Sequence, residues 1–228
     1  MAFILNIDTA TSICSVALAR DGEMIGIKEN TEGLNHSLLL GTYIDELLKE
    51  NGKHPQELDA IAVSMGPGSY TGLRIGISMA KGLCFGISKP LIAVDTLQAL
   101  ALSVSQTIKE DAYYCPMIDA RRMEVYTALY DNRNHPLTPT QAKIINETSF
   151  REILKEHKVY FFGNGSGKVQ SLLSSANACF LKNIETSARH LTGIAEQKFF
   201  RKEFENTAYF EPFYLKDFIA TTPRHKVI

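Results

Sequence analysis

The order in which hydrophobic periodicity changes along the first half of the chain restricts the fold most. Residues 3–7 and 13–19 are short apolar runs typical of buried strands, and the Asp-Gly pair at 21–22 supplies the positive φ angles of a tight hairpin turn before a third strand. Helical patterns then alternate with apolar runs at 60–63 and 90–94. Because a strand, a helix and a strand joined by short segments form a βαβ unit, these later strands are expected to be parallel in one sheet.

The second half of the sequence begins in the same way, with a hairpin-like pair of strands. The segments predicted there are strands at 115–118 and 124–130, a loop at 131–141, a helix at 149–157, a strand at 159–162 and a last long helix at 188–200. This restart indicates a domain duplication, with an N-terminal lobe at 1–105 and a smaller C-terminal lobe at 106–228. The last helix is expected to pack back toward the N-terminal lobe.

The composition excludes several classes of protein. The chain has 228 residues, of which 45% are hydrophobic and 21% charged, and no run approaches the ~18 apolar residues of a membrane helix. With 24 Lys and Arg against 25 Asp and Glu, the formal charge of -1 gives no global basic surface for nucleic acid. The 4 cysteines are far apart and the N-terminus has no basic leader, so we expect reduced thiols and a cytoplasmic protein.

The turn between the first two strands, Asp8-Thr9-Ala10-Thr11-Ser12, is the most suggestive short motif. An acid and several hydroxyls at a tight turn can hold a metal-bound phosphate, with backbone N–H groups completing the contacts. Asp8, Thr9 and Thr11 are therefore candidates for a nucleotide site. The same residue types are also common in turns that bind nothing, and the sequence leaves both interpretations open.

A glycine-rich loop at residues 66–72, Gly-Pro-Gly-Ser-Tyr-Thr-Gly, lies between a predicted strand and a predicted helix. Its spacing is neither the dinucleotide fingerprint nor a P-loop, so it either approaches a ligand or makes a sharp turn. In the helix predicted at 71–85, Gly72, Gly76 and Ala80 form a strip of small residues, and apolar residues cover most of the remainder. Such a helix is buried in its own core or against a partner.

Motifs for catalysis and metal binding are missing from the sequence. The histidines do not form an HExxH motif, and there is no GxSxG nucleophile elbow. The missing motifs argue against a zinc-protease helix and a nucleophile elbow, whereas a Ser/His/Asp triad assembled from distant residues stays open at this point. The prediction of no catalytic residues and no metal ligands follows from the resemblance described next.

Several segments together resemble the bacterial TsaB family, also called YeaZ. They are residues 4–11, 66–76, 93–97, 119–121, 125–126, 212 and 214–216. The resemblance spans nearly the whole chain and implies the actin/Hsp70/sugar-kinase-like (ASKHA) fold, an α/β fold of two lobes in which each lobe is a mixed sheet with helices, here with a reduced second lobe. It also implies a part in making threonylcarbamoyladenosine next to the anticodon of tRNA. In that pathway the paralogue TsaD transfers the threonylcarbamoyl group with help from TsaB and the ATPase TsaE.

The chain departs from the catalytic paralogue at one informative place. The paralogue has an Asn-His-x-x-x-His run whose histidines bind a metal, and the matching residues 95–100 read Asp-Thr-Leu-Gln-Ala-Leu. A hydroxyl and an alkyl group cannot replace imidazole ligands. The resemblance thus implies a non-catalytic subunit with no metal of its own, in which Asp8, Thr9 and Thr11 form a vestigial nucleotide site. ATP and a divalent metal would belong to the partner subunits. The alternative is a stand-alone ATP-dependent transferase or a metallopeptidase.

The resemblance places the partner-binding surface on the helices predicted at 37–50 and 71–85. The expected contact residues are Leu40, Tyr43, Ile44, Leu47, Gly72, Ile75, Gly76, Met79 and Ala80. The expected partners are a TsaD-type catalytic paralogue, a TsaE-type ATPase and, when the chain is alone, a second copy of itself; no membrane is expected. Contact with tRNA is expected to be indirect only, because the near-neutral charge does not support strong independent binding.

Overall fold

The first half of the chain forms a five-stranded mixed sheet in the computed structural model, which describes residues 1–33 and 35–216. Its strands are β1 (Phe3–Asp8), β2 (Cys14–Arg20), β3 (Glu23–Asn30), β4 (Ala60–Gly66) and β5 (Leu91–Asp95), in the order β3-β2-β1-β4-β5. The first three strands pair antiparallel, and β4 and β5 continue the sheet parallel to β1. The helices between them are α1 (His36–Glu50) and α2 (Tyr70–Ile87), and α3 (Thr96–Ile108) follows β5.

The second half repeats this topology with shorter elements. Its strands are β6 (Tyr113–Asp119), β7 (Glu124–Thr127), β8 (Gln141–Ile144), β9 (Val159–Phe162) and β10 (Ala178–Phe180), in the order β10-β9-β6-β7-β8. Helix α4 (Arg151–Glu156) precedes β9, and the 3-10 turn Ala188–Leu191 and α5 (Thr192–Arg201) follow β10. The predicted fold class is confirmed by this strand order, and the domain duplication stays a prediction. We call the two sheets with their helices the first and the second lobe.

Both faces of the first sheet are covered, which explains the nearly continuous apolar character of its strands. Leu5 and Ile7 of β1 point to the side covered by α1 and α2, whereas Ile4 points to the side covered by α3 and α5. On that second side, Leu191 and Ile194 pack against β4 and β5. Helix α5 therefore packs on the first sheet although it follows the second lobe in sequence.

The connection between the lobes is also hydrophobic. Leu97 and Leu100 of α3 pack into the core of the second lobe beside Tyr114 of β6, while Ala99 faces the first sheet. A division of the chain at residue 105 stays a prediction, and α3 itself contacts both sheets.

The sequence prediction is wrong at several second-lobe elements. Strand β8 begins at the end of the segment predicted as a loop, and β10 was not predicted because its three residues are only half-buried and carry no clear periodicity. Strand β7 ends at Thr127, and beyond it Tyr130 keeps only isolated bridges to Tyr114 and Pro136. Within the described part of the chain, no helix is long and apolar enough to cross a lipid bilayer.

Candidate functional site

The turn between β1 and β2 is buried beneath its neighbours. Asp8 is 2% exposed, and its Oδ1 accepts hydrogen bonds from the Ala10 N–H at 2.9 Å and the Ser64 hydroxyl at 3.1 Å. Burial raises the pKa of the Asp8 carboxyl to about 6, against the opposing effect of these two hydrogen bonds. The carboxyl group is thus committed to the interior of the protein.

The hydroxyl groups of the same turn are used internally as well. Thr9 donates to the carbonyl oxygen of Gly72 at 2.7 Å, and Thr11 shares a hydrogen bond of 2.7 Å with Thr186. The His36 Nε2 lies 2.9 Å from the carbonyl oxygen of Thr11, and because a carbonyl only accepts, this nitrogen carries the proton. The turn is therefore fixed by contacts to three other segments of the chain.

The glycine-rich loop at 66–72 packs directly on this turn. The Ser69 N–H donates to the carbonyl oxygen of Ala10 at 2.7 Å, and the Ser69 hydroxyl caps the N-terminus of α2. A Cβ atom added to Gly68 would lie 2.3 Å from the Ala10 oxygen, and one added to Gly72 would lie 2.1 Å from the Thr9 oxygen. Gly68 and Gly72 are therefore needed for close backbone approach, while residues 67–71 of the loop also line a cleft.

The turn consequently does not fit a metal-bound phosphate. Asp8 and Thr9 are absent from the lining of the cleft between the lobes, and of the three predicted site residues only Thr11 reaches it. Within residues 1–33 and 35–216, no cluster of three His, Cys, Asp or Glu side chains is arranged to hold a metal ion.

The cleft between the lobes has a volume of about 710 Å³. Its walls come from the β1–β2 turn, the start of α2, the β6–β7 turn and the segment after α5. At the β6–β7 turn, Arg121 and Arg122 are exposed and both have positive φ angles, 71° and 51°. Asp119 accepts a hydrogen bond from the Arg121 N–H and forms an ion pair with Lys168, which holds this turn in place.

The positions that match the paralogue's histidines lie at the start of α3. Asp95 caps this helix by accepting from the Gln98 N–H at 2.8 Å, and burial raises the pKa of its carboxyl group. Thr96 is buried, and its hydroxyl has no hydrogen-bond partner among the residues that the structure describes; Leu100 is buried in the core of the second lobe. Both positions are thus part of the packed junction between the lobes.

The predicted partner-binding residues divide into two groups. Leu40, Ile44, Leu47, Gly72, Gly76 and Ala80 are buried within the chain. Gly76 faces Thr9, to whose hydroxyl oxygen an added Cβ would approach within 2.2 Å, so the small-residue strip serves internal packing. The strip of Gly72, Gly76 and Ala80 is thus buried inside the chain, where a partner does not reach it. Tyr43, Ile75 and Met79 keep partly exposed side chains.

The outer face of α1 and α2 nevertheless carries an apolar surface. It includes a shallow groove of about 610 Å³ lined by Ser37, Arg74, Ile75, Ser78, Met79, Gly82 and Leu83. On the same two helices, Leu38 is 75% exposed and Phe85 87% exposed. The sequence reasoning missed these two residues, although each departs from the buried stripe of its helix and could have been found by that signal. We call this surface, with Tyr43, the α1–α2 face.

Comparisons with known proteins now identify the family. The model of the TsaD family, described as tRNA N6-adenosine threonylcarbamoyltransferase, matches residues 23–223. The tRNA threonylcarbamoyladenosine biosynthesis protein TsaB of Bacillus subtilis is 33% identical over 207 residues, which is 89% of this chain and 88% of that protein. The chain belongs to the TsaB family.

Solved structures agree with this membership. YeaZ from Pseudomonas aeruginosa superposes with a TM-score of 0.83 at 27% identity, covering 94% of this chain and 100% of that one. The activator of 2-hydroxyisocaproyl-CoA dehydratase from Clostridium difficile has a TM-score of 0.50 at 11% identity over 90% of this chain and 98% of its own, so it shares the fold alone. This TsaB family member has the predicted two-lobed ASKHA fold.

Proposed function

We propose that this chain acts in the synthesis of threonylcarbamoyladenosine in tRNA as a non-catalytic subunit that binds a TsaD-type paralogue. Its relative in Bacillus subtilis carries that pathway in its name, and the TsaD family model covers most of the chain. The observation that carries the proposal is the apolar α1–α2 face, on which Leu38 is 75% exposed and Phe85 87% exposed. A contiguous apolar surface of this kind is typical of a protein–protein interface.

A non-catalytic role is supported by the burial of the candidate site residues, whose polar groups bond to other parts of the chain. Asp8 is held by Ser64 and Ala10 inside the protein, and Thr9 is held by Gly72. Thr96 and Leu100, which stand where the paralogue has histidines, are enclosed between the lobes. A subunit with these residues can support a catalytic partner while performing no step of the transfer itself.

The α1–α2 face is suited to pack against the helices of a partner that has a similar fold. Gly41 of α1 lies beside Met79 of α2, so the helices are close together and their outer side chains form one continuous surface. Ile75, Met79 and Leu83 are spaced four residues apart along α2 and present an apolar stripe, with Arg74 at its edge. In the absence of the paralogue, we propose that a second copy of the chain covers this surface. A TsaE-type ATPase would join the assembled pair.

Replacing Met79 by glutamate is expected to abolish binding of the TsaD-type paralogue, with affinity falling by about 100-fold or more, because an interface closing over this position would bury an unpaired charge. Met79 is only partly buried, so the variant should remain folded. The measurement is the stoichiometry of the mixture by light scattering, with and without ATP, together with a binding titration.

The matched control is Met123→Glu, which makes the same change at a side chain 40% exposed in the second lobe. It should bind the paralogue as the wild type does. Undiminished binding of a folded Met79→Glu variant would refute the assignment of the α1–α2 face. Turnover of ATP or of a peptide by the purified chain alone would instead favour the alternative of an independent enzyme.

A further inference from the structure

The segment after α5 returns along the first lobe toward the cleft. The Glu205 N–H donates to the carbonyl oxygen of Leu91 at 2.9 Å, which adds an isolated antiparallel bridge to β5. Farther along, Lys81 of α2 donates to the carbonyl oxygen of Phe210 at 2.9 Å, and the Phe213 N–H donates to that of Met65 at 2.8 Å. These bonds fix the segment on the first lobe as far as the mouth of the cleft.

The last described residues of the segment reach across to the second lobe. The Tyr214 ring packs against Tyr70 with 4.9 Å between ring centroids, and its hydroxyl accepts a hydrogen bond of 2.8 Å from Arg74 Nε. Two residues later, Lys216 forms an ion pair with Glu124 and lies 3.4 Å from the carbonyl oxygen of Ala120, both next to the β6–β7 turn.

We infer that residues 213–216 are a strap that fastens the second lobe to the first across the cleft, and that Arg74 connects this strap to the α1–α2 face. The part concerning Arg74 rests on the proposed function. The strap holds the first lobe through Met65, Tyr70 and Arg74, and it holds the second through Glu124. Its contacts to the second lobe are polar and partly exposed, in contrast to the hydrophobic junction at α3, so we expect the strap to open before that junction.

Arg74 contacts the strap and also lines the groove of the α1–α2 face. Its guanidinium lies 4.1 Å from the centroid of the Tyr70 ring and holds Tyr214, and the same side chain lines the groove of the α1–α2 face. A partner seated in that groove would remove water from Arg74, and hydrogen bonds and cation–π contacts strengthen when water is excluded. Partner binding is thereby expected to tighten the strap and hold the lobes at a fixed separation.

Hydrogen–deuterium exchange of the isolated full chain tests the strap. In Tyr214→Ala and Lys216→Ala, amides of residues 120–127 should exchange about fivefold faster than in the wild type, because the β6–β7 turn loses its fastening. The control Lys158→Ala breaks the exposed pair of Lys158 with Glu110 in the second lobe, away from the strap, and should leave those amides unchanged. Wild-type exchange rates in both strap variants would overturn the proposal.

The connection through Arg74 is tested by adding the TsaD-type paralogue. Exchange at residues 120–127 should slow at least twofold in the wild type, but not in Tyr214→Phe, which keeps the ring contact with Tyr70 and loses the hydrogen bond to Arg74. Tyr214→Phe should still bind the paralogue, since Tyr214 does not line the groove. Binding without any slowing in the wild type overturns the connection while the proposed function stands. Failure of the wild type to bind overturns the proposed function, and with it the connection, while the first experiment still decides on the strap.

Discussion

Replacing Gly72 by alanine is expected to lower the free energy of unfolding by about 3 kcal/mol, a large effect for one methyl group. The added Cβ would lie 2.1 Å from the carbonyl oxygen of Thr9, a backbone atom that cannot move without shifting the β1–β2 turn. That turn is itself fixed by the hydrogen bond from the Thr9 hydroxyl to the Gly72 carbonyl oxygen. Urea unfolding followed by circular dichroism measures the change.

Gly82→Ala is the matched control, because Gly82 lies in the same helix and an added Cβ there would meet no atom within 4 Å. Alanine is the better helix former, so this variant should be about 0.5–1 kcal/mol more stable than the wild type. Equal unfolding midpoints for the two variants would show that the loop at 66–72 is not packed on the turn as described.

The sequence does not distinguish Gly72, which packs closely on the β1–β2 turn, from Gly82, which has open space beside it. A strip at Gly72, Gly76 and Ala80 shows that something approaches the helix closely, but it does not show what. The structure places the β1–β2 turn against Gly72 and Gly76, so the close approach is internal. Whether the close contact is internal or with a partner depends on the path of the β1–β2 turn, which is more than fifty residues away in sequence.

Prediction of the fold succeeded where elements are long and periodic. The strand runs of the first sheet alternate between its two covered faces, and the stripe of α1 at Leu40, Ile44 and Leu47 points into the core, so both were recognisable from residue spacing. Strands β8 and β10 were missed because they are short and only half-buried, and pairing with a neighbouring strand rather than their own pattern defines them.

The candidate site was harder to predict than the fold. The pattern at Asp8, Thr9 and Thr11 predicted a turn and a candidate nucleotide site, but the partners of those side chains, Ser64, Gly72 and Thr186, are distant in sequence. The strap was not predicted because the segment carries no regular period. Its role depends on single contacts such as that of Tyr214 with Arg74.

Ionisation of the buried Asp8 carboxyl is expected to make the free energy of unfolding depend strongly on pH. Burial raises the pKa of the Asp8 carboxyl in the folded protein to about 6, against 3.8 in the unfolded chain. A raised pKa means that the folded state prefers the protonated carboxyl group, so this contribution to stability is fully present below pH 3.8 and is lost as pH rises through 6. At about 1.4 kcal/mol for each pKa unit, the loss amounts to about 3 kcal/mol.

Asp8→Asn should remove this dependence, because the amide oxygen can still accept from Ala10 and Ser64 but cannot ionise. The free energy of unfolding of the variant relative to the wild type is therefore expected to rise by about 2.5 kcal/mol between pH 4 and pH 8, because part of the full change already lies below pH 4. Any fixed cost of burying the amide group shifts the whole curve and leaves this rise intact, so the slope reports the carboxyl group alone. Asp45→Asn, at an exposed pair with Lys49 on α1, should differ from the wild type by about 0.5 kcal/mol or less across the same range. A relative stability of Asp8→Asn that does not change with pH would mean that Asp8 is accessible to water, and would reopen the β1–β2 turn as a place where a cation or phosphate binds.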